Sequence, residues 1–282
     1  MGGSLDSEPI AIAYCGDQGL FEAFLLSSLS VAKTTARPLH FYFLTGTIAT
    51  PKFSFGPLTQ SQGEFIGEIL RRHNPKVTTE VLDCTAIYEK ELSASVNVNT
   101  FYSPYSLFRL VMDFLPLPDK LLYLDADTIA LKDLGSLFDS DLSPFDLGMA
   151  LDAVGHRFLG PHYGNSGVLL LNLSAIKSDG LMGQARKIVN RFRMFMPDQT
   201  TLNLVFRKKK LLLAEKFNEQ IALTPETVIR HYCKRLRWLP YIHTVNVKPW
   251  NIEAFRKHFG NLHQDLLEEF SAILKEYSAT PR

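Results

Sequence analysis

The sequence predicts an α/β fold, a single domain with a mainly parallel central sheet. Short apolar runs bounded by Gly, Pro or polar residues alternate with stretches of helical spacing. Several of those runs are continuous rather than alternating, as in strands buried on both faces. One of them, Leu121-Leu122-Tyr123-Leu124, runs straight into Asp125-Ala126-Asp127-Thr128. Open α/β sheets place their ligands beyond the carboxyl ends of the strands.

The elements follow in order. Ile10 to Tyr14 reads as a first strand, closed by Cys15-Gly16-Asp17-Gln18-Gly19, with Asp17 placed to cap the next helix. Phe21 to Val31 has helical spacing, with Phe21, Phe24, Leu25 and Leu29 on one face. Leu39 to Leu44 is a second strand, residues 47–57 a polar surface loop, and Thr59 to His73 a helix. Thr78 to Leu82 is a third strand, and Ser103 to Leu115 a helix carrying Arg109 among apolar positions. An arginine there needs an anionic partner, either a structural carboxylate or a substrate phosphate. After the aspartates come a strand over 146–150 ending near Asp152, a Gly- and His-containing loop, and a buried strand opened by Tyr163-Gly164-Asn165-Ser166-Gly167. Asp179 to Met194 reads as a helix, and Asp198 as the N-cap of the helix after it. Arg207 to Lys210 reads as a solvated basic face, and 252–277 as one or two amphipathic helices. The expected division is a catalytic domain over 8–251 and a helical tail over 252–282.

Composition narrows the function. Lys and Arg (30) balance Asp and Glu (29), so no net field favours nucleic acid. The three cysteines, Cys15, Cys84 and Cys233, are far apart and odd in number. Free thiols in a reducing compartment are expected, hence a cytoplasmic protein. No apolar run reaches the ~18–20 residues of a membrane span. The basic runs 207–210 and 234–237 leave room for contact with the inner membrane face or an anionic acceptor. Two carboxylates at a strand end are costly unless a cation sits between them. A hard divalent ion suits carboxylate oxygens and a phosphorylated substrate. The same tripeptide also suits a plain solvated turn.

Four patches in order carry a resemblance. They are residues 119–128 around the aspartates, Tyr163 to Asn172, Asp198-Gln199-Thr200-Thr201-Leu202-Asn203, and His243 with Lys248-Pro249-Trp250. Over roughly residues 8–251 the chain resembles glycosyltransferase family 8, the retaining sugar-nucleotide transferases. The resemblance implies a GT-A-type, Rossmann-like α/β/α sandwich. It implies Mn2+, with Mg2+ as the alternative, held by Asp125, Asp127 and His243, and a UDP-sugar donor, UDP-galactose or UDP-glucose. The acceptor would be a glycan, glycolipid or glycoprotein. Asp17 resembles the position at the uracil. Cys15, Arg109, Ala126 and Lys248 fall among the donor-contacting positions, with Lys248 at the diphosphate. Asp152, Asn165 and Gln199 resemble positions around the donor sugar, and Asp198 the acid beside it. Asp152, Asp198 and Gln199 are the candidate catalytic residues.

Three departures stand out. His243 and Lys248 are five apart, where the family shows six. Thr200 replaces a family aspartate, which favours a same-face route over a covalent carboxylate intermediate. Residues 47–57 look inserted. His231 is set aside as the ligand because no Lys-Pro-Trp follows it at the family distance. Two other readings remain. One is a haloacid-dehalogenase-like phosphatase using Asp125 and Asp127, though Thr128 comes one position early for its motif. The other is a non-catalytic nucleotide-sugar-binding protein.

Overall fold

The computed structural model describes residues 8–49, 54–98, 103–237 and 243–279. The first strand, β1 (Ile10–Cys15), leads through a short 3-10 turn into α1 (Phe21–Thr34). Then follow β2 (Leu39–Thr45), β3 (Ile48–Ala49), β4 (Ser54–Phe55), α2 (Gln60–Arg71), β5 (Val77–Asp83) and α3 (Thr85–Glu91). Next are β6 (Lys120–Leu124), β7 (Thr128–Ala130), α4 (Gly135–Phe138), β8 (Leu147–Leu151), α5 (Gly155–Phe158) and β9 (Gly164–Asn172). The remainder is α6 (Leu173–Asp179), α7 (Leu181–Arg191), α8 (Pro197–Val205), β10 (Lys210–Leu213), β11 (Ile229–His231), β12 (Arg235–Arg237), β13 (His243–Val245), α9 (Ile252–Phe259) and α10 (Gln264–Ala279).

Seven strands form the central sheet in the order β10-β8-β9-β6-β1-β2-β5. The β1–β2, β2–β5, β1–β6 and β8–β10 pairs are parallel, and β9 runs antiparallel to both neighbours. The continuous apolar runs follow from this burial. Ile10, Ile12 and Tyr14 enter one core beneath α1, α2 and α10, while Ala11, Ala13 and Cys15 enter a second core on the opposite face. β6 divides the same way, Leu122 and Leu124 to the first core and Leu121 and Tyr123 to the second. Phe255, Leu267, Phe270 and Ile273 of α9 and α10 belong to that first core.

Some elements differ from expectation. The 103–115 segment is not an α-helix but two 3-10 turns, Pro104–Leu110 and Met112–Phe114. The expected 179–194 helix is α7, shorter at both ends and separated from the preceding α6 at Gly180, whose φ of 64° places it in the left-handed region. Glycine adopts that conformation at no steric cost, so it ends one helix and opens the next. Asp198 lies inside the first turn of α8, which starts at Pro197, rather than capping it. Within 47–57, Ile48 is buried and β3 pairs with β4. The expected basic face at 207–210 leads into an edge strand, and Lys210 is β10's first residue. No helix among the described residues is long and apolar enough to cross a membrane.

Candidate functional site

The antiparallel run of β9 builds the site. Register pairs Leu124 with Val168, and the Asp125 N–H donates to the Gly167 carbonyl at 2.7 Å. The carboxyl end of β6 therefore meets the amino end of β9. Two motifs 40 residues apart in the chain, Asp125-Ala126-Asp127 and Asn165-Ser166-Gly167, become neighbours. β6 stops at Leu124 and the aspartates lie in a tight turn rather than on the strand. The Thr128 N–H (3.1 Å) and hydroxyl (2.9 Å) both donate to the Asp125 carbonyl and hold that turn.

Asp125 and Asp127 are differently held. Asp125 Oδ1 accepts from the Tyr123 hydroxyl at 2.6 Å and from Arg109 Nη2 at 2.9 Å. Asp127 Oδ2 accepts from Lys248 Nζ at 2.5 Å, and Lys248 also donates to the Tyr232 carbonyl at 3.0 Å. Burial raises the Asp127 pKa, but the charges of Lys248 and His231 outweigh it and hold the carboxyl well below the usual range.

Among the described residues, the histidine that meets the aspartates is His231, where the sequence pointed to His243. His231 Nε2 lies 3.1 Å from Asp127 Oδ1 and 3.7 Å from Asp125 Oδ2. It ends β11, which pairs antiparallel with β7 so that His231 stands opposite Thr128. The ring lies against Gly167. A Cβ there would come within 2.1 Å of the ring carbon Cε1, so only glycine lets the imidazole reach the aspartates. His243 pairs with Arg237 on the β12–β13 ladder, and its side chain lies outside the described residues.

This trio fits a divalent ion. One donor atom from each of Asp125, Asp127 and His231 lies within 4.8 Å of the others. His231 is 2% exposed, yet its Nε2 has no hydrogen-bond partner in the fold. Buried polar atoms are normally satisfied, so an orphaned imidazole nitrogen between two carboxylates is the donor a cation would complete. Oxygen and imidazole donors together suit Mn2+.

Beside the trio lies a second cluster. Asp152 Oδ2 accepts from Asn165 Nδ2 at 3.0 Å and from Gln199 Nε2 at 3.1 Å, while its Oδ1 accepts the Gly155 N–H at 2.6 Å. Gln199 Oε1 accepts the Ser166 N–H at 3.1 Å. Asp198 is buried and bound to Arg109 Nη1 at 3.1 Å and to the Ser166 hydroxyl at 3.2 Å. Arg109 is thus the arginine shared by two carboxylates, Asp125 and Asp198, with its guanidinium over the Tyr123 ring. Cys15 is buried near it, and burial pushes its thiol well up. Asp17 caps the turn after β1 by accepting the Gly19 N–H at 2.7 Å. Ala126 packs against the first core. Thr200 accepts or donates a 2.8 Å bond with the Tyr163 hydroxyl.

Asn218 is a member that the motifs did not single out, Tyr123 lies in the motif at 119–128 but was given no role, and His231 was set aside as the ligand. His231 follows the apolar pair Val228-Ile229, which was a signal for a strand leading into the site. Spacing to Lys248 hid it, because residues 232–247 intervene and fold partly as the β12–β13 ladder. Lys248 still reaches Asp127.

Comparison with known proteins agrees with this architecture. The chain is 28% identical over 215 residues to glycosyltransferase GlyA of Streptococcus pneumoniae serotype 4, covering 76% of this chain and 28% of that protein. It is 26% identical over 221 residues to glycosyltransferase GlyF of the same organism, covering 76% of this chain and 51% of that one. The chain thus spans from about a quarter to half the length of these relatives. The galactosyltransferase LgtC, solved in complex with donor and acceptor sugar analogs, superposes with a TM-score of 0.65 at 18% identity, over 97% of this chain and 98% of that one. GlyE of Streptococcus pneumoniae TIGR4 superposes with a TM-score of 0.64 at 21% identity, over 96% of this chain and 64% of that one. The GT-A-like fold is therefore shared, with its mainly parallel seven-stranded sheet. The sequence model of glycosyl transferase family 8 matches residues 11–254, and the chain belongs to that family.

Proposed function

We propose that this chain is a Mn2+-dependent, retaining glycosyltransferase that moves a hexose from a UDP-sugar to a saccharide-bearing acceptor. The observation that carries the reading is the orphaned His231 Nε2 between Asp125 and Asp127, next to the Asp152–Asn165–Gln199 cluster. Asp125, Asp127 and His231 are the residues that would hold the ion, with Mg2+ as the alternative. Bound there, the ion would neutralise the charge that grows on the departing diphosphate.

The chain's own groups supply the rest. Lys248 is a point charge on a flexible stem, bound to Asp127 and within reach of the same region. Its role in this reading is to hold the diphosphate. Asp152, Asn165 and Gln199 present acceptor and donor atoms suited to sugar hydroxyls. Asp17, Cys15 and Ala126 remain the proposed nucleoside contacts. Arg109 acts beneath the site, holding Asp125 oriented.

The route follows from which carboxylates are free. Asp198 is buried and tied to Arg109 and Ser166, and Gln199 offers an amide rather than a carboxylate. Asp152 is already engaged by two side-chain amides and a backbone N–H. These bonds lower the nucleophilicity of both carboxylates. A same-face transfer suits this pocket, with Gln199 near the anomeric carbon and the leaving diphosphate taking the acceptor's proton. Galactose is the first donor to test, because the LgtC neighbour is a galactosyltransferase, and glucose the second. The acceptor class is a glycan, glycolipid or glycoprotein.

The test is turnover of UDP-galactose and UDP-glucose with and without Mn2+, with the product's anomeric configuration read by NMR. Mn2+-dependent transfer or hydrolysis with retention is the expected result. UDP-sugar binding without turnover would favour a non-catalytic binding protein instead.

A further inference from the structure

The orientation of each amide between the sugar-facing cluster and the metal cluster follows from backbone donors. The Gly167 N–H donates to Asn165 Oδ1 at 2.9 Å. A backbone N–H cannot reverse its role, so the Asn165 oxygen faces Gly167. The same oxygen lies 2.9 Å from Asn218 Nδ2, so Asn218 must present its amino group there. Its Oδ1 then faces His231 Nδ1 at 3.0 Å. An amide oxygen only accepts, so Nδ1 carries the proton and donates it to Asn218. Nε2 is then the ring nitrogen that faces the aspartates, and it has no hydrogen-bond partner in the fold.

The other side of Asn165 continues the chain. Its Nδ2 donates to Asp152 Oδ2, which also receives Gln199 Nε2, and Gln199 Oε1 is fixed by the Ser166 N–H. The series His231–Asn218–Asn165–Asp152–Gln199 is thus polarised from two backbone N–H groups. Asn218 itself is held on all sides. It is 0% exposed, its N–H donates to the Glu215 carbonyl at 2.9 Å, and its carbonyl accepts from Gln220 Nε2 at 3.2 Å. Gln220 in turn bonds the Ala153 N–H at 3.0 Å and the Leu151 carbonyl at 2.9 Å, which straps this segment to the end of β8.

We propose that Asn218 is a positioning residue for the metal centre. It holds His231 with Nδ1 protonated and Nε2 open to a cation, and it links that ligand to the groups facing the donor sugar. The proposal rests on the metal-centre reading given above. Asn218 is not one of the three residues that would hold the ion. Its action is on the ligand's tautomer and aim, as the outer partners of metal-bound histidines do.

The experiment has two parts. The ring nitrogens of the histidines are read by 1H–15N correlation on the metal-free protein, with His231 identified by its loss in His231→Gln. Mn2+ affinity is then measured by calorimetry for the wild type, Asn218→Ala and Asn218→Asp, with thermal unfolding followed alongside. The expected spectrum shows His231 protonated on Nδ1. Asn218→Ala is expected to weaken Mn2+ binding by about 10–100-fold, and Asn218→Asp, which keeps an acceptor for Nδ1 but loses the donor to Asn165 Oδ1, to lose less than Asn218→Ala. A His231 without a proton on Nδ1, or a folded Asn218→Ala with wild-type Mn2+ affinity, overturns the proposal. If Asn218→Ala does not fold, the spectrum decides, a proton on Nδ1 supporting the proposal and its absence overturning it. Absence of Mn2+ binding in the wild type overturns the metal-centre reading itself, whereas wild-type binding with an unaffected Asn218→Ala overturns only the role of Asn218.

Discussion

At the scale of single residues, Gly167 decides whether His231 can lie where it does. A methyl group at that position would come within 2.1 Å of the imidazole Cε1, so the ring would have to shift. Gly167→Ala is therefore expected to weaken Mn2+ binding at least tenfold, roughly the loss of a misaimed ligand, as calorimetry would read. Asp127→Ala removes one of the three donors and the partner of Lys248. Metal-dependent activity should vanish while circular dichroism stays that of the native fold. Full activity in that variant would sink the metal assignment. Arg109 is a different case because it is buried between two carboxylates. Arg109→Leu leaves Asp125 and Asp198 without their cation, and breaking a buried pair this way costs about 3–5 kcal/mol. Urea unfolding should show that loss directly. Asp125, Asp127, Asn165 and Gln199 all stood out in the sequence because short motifs carry them. Asn218 did not, and His231 was set aside on its spacing to Lys248, since each is brought in by folding across a long separation. Asn218 pairs with His231 and with Asn165, 13 and 53 residues away.

At the scale of elements, strands were legible and their ends less so. The apolar runs of β1, β2, β6 and β9 mark buried strands because both faces are covered. Ser103 to Leu115 looked helical by its apolar spacing, yet its 3-10 turns serve to aim Arg109 under the site. Periodicity reports which side is buried and not how tightly the backbone winds. β11 is only three residues long, too short for any pattern, though it delivers the histidine. The C-terminal helices make a prediction of their own. His263, just before α10, bonds the Tyr232 hydroxyl at 2.6 Å. Burial, with the Arg230 charge adding to it, lowers its pKa to about 4. The fold therefore favours the neutral ring. Its contribution is present above the unfolded value near 6.5 and is lost as pH falls through that value towards 4. A shift of that size corresponds to about 3 kcal/mol of stability. Urea midpoints between pH 7 and pH 4 should fall more steeply for the wild type than for His263→Gln. Equal slopes would remove His263 as the cause.

At the scale of the whole molecule, the sheet order brings distant motifs to one edge. Because β9 is reversed beside β6, the amino end of one strand and the carboxyl end of the other face the same crevice. Thus the four motifs that carried the family resemblance need no proximity in sequence. A phosphatase reading of the two aspartates does not survive the match to glycosyl transferase family 8 over 11–254. The central claim is that metal and nucleotide share this crevice. Calorimetry with UDP, with and without Mn2+, tests it most directly. UDP binding that depends on Mn2+ and is lost in Asp127→Ala is the expected result. UDP binding of equal strength with and without the metal, or none in either condition, would contradict it.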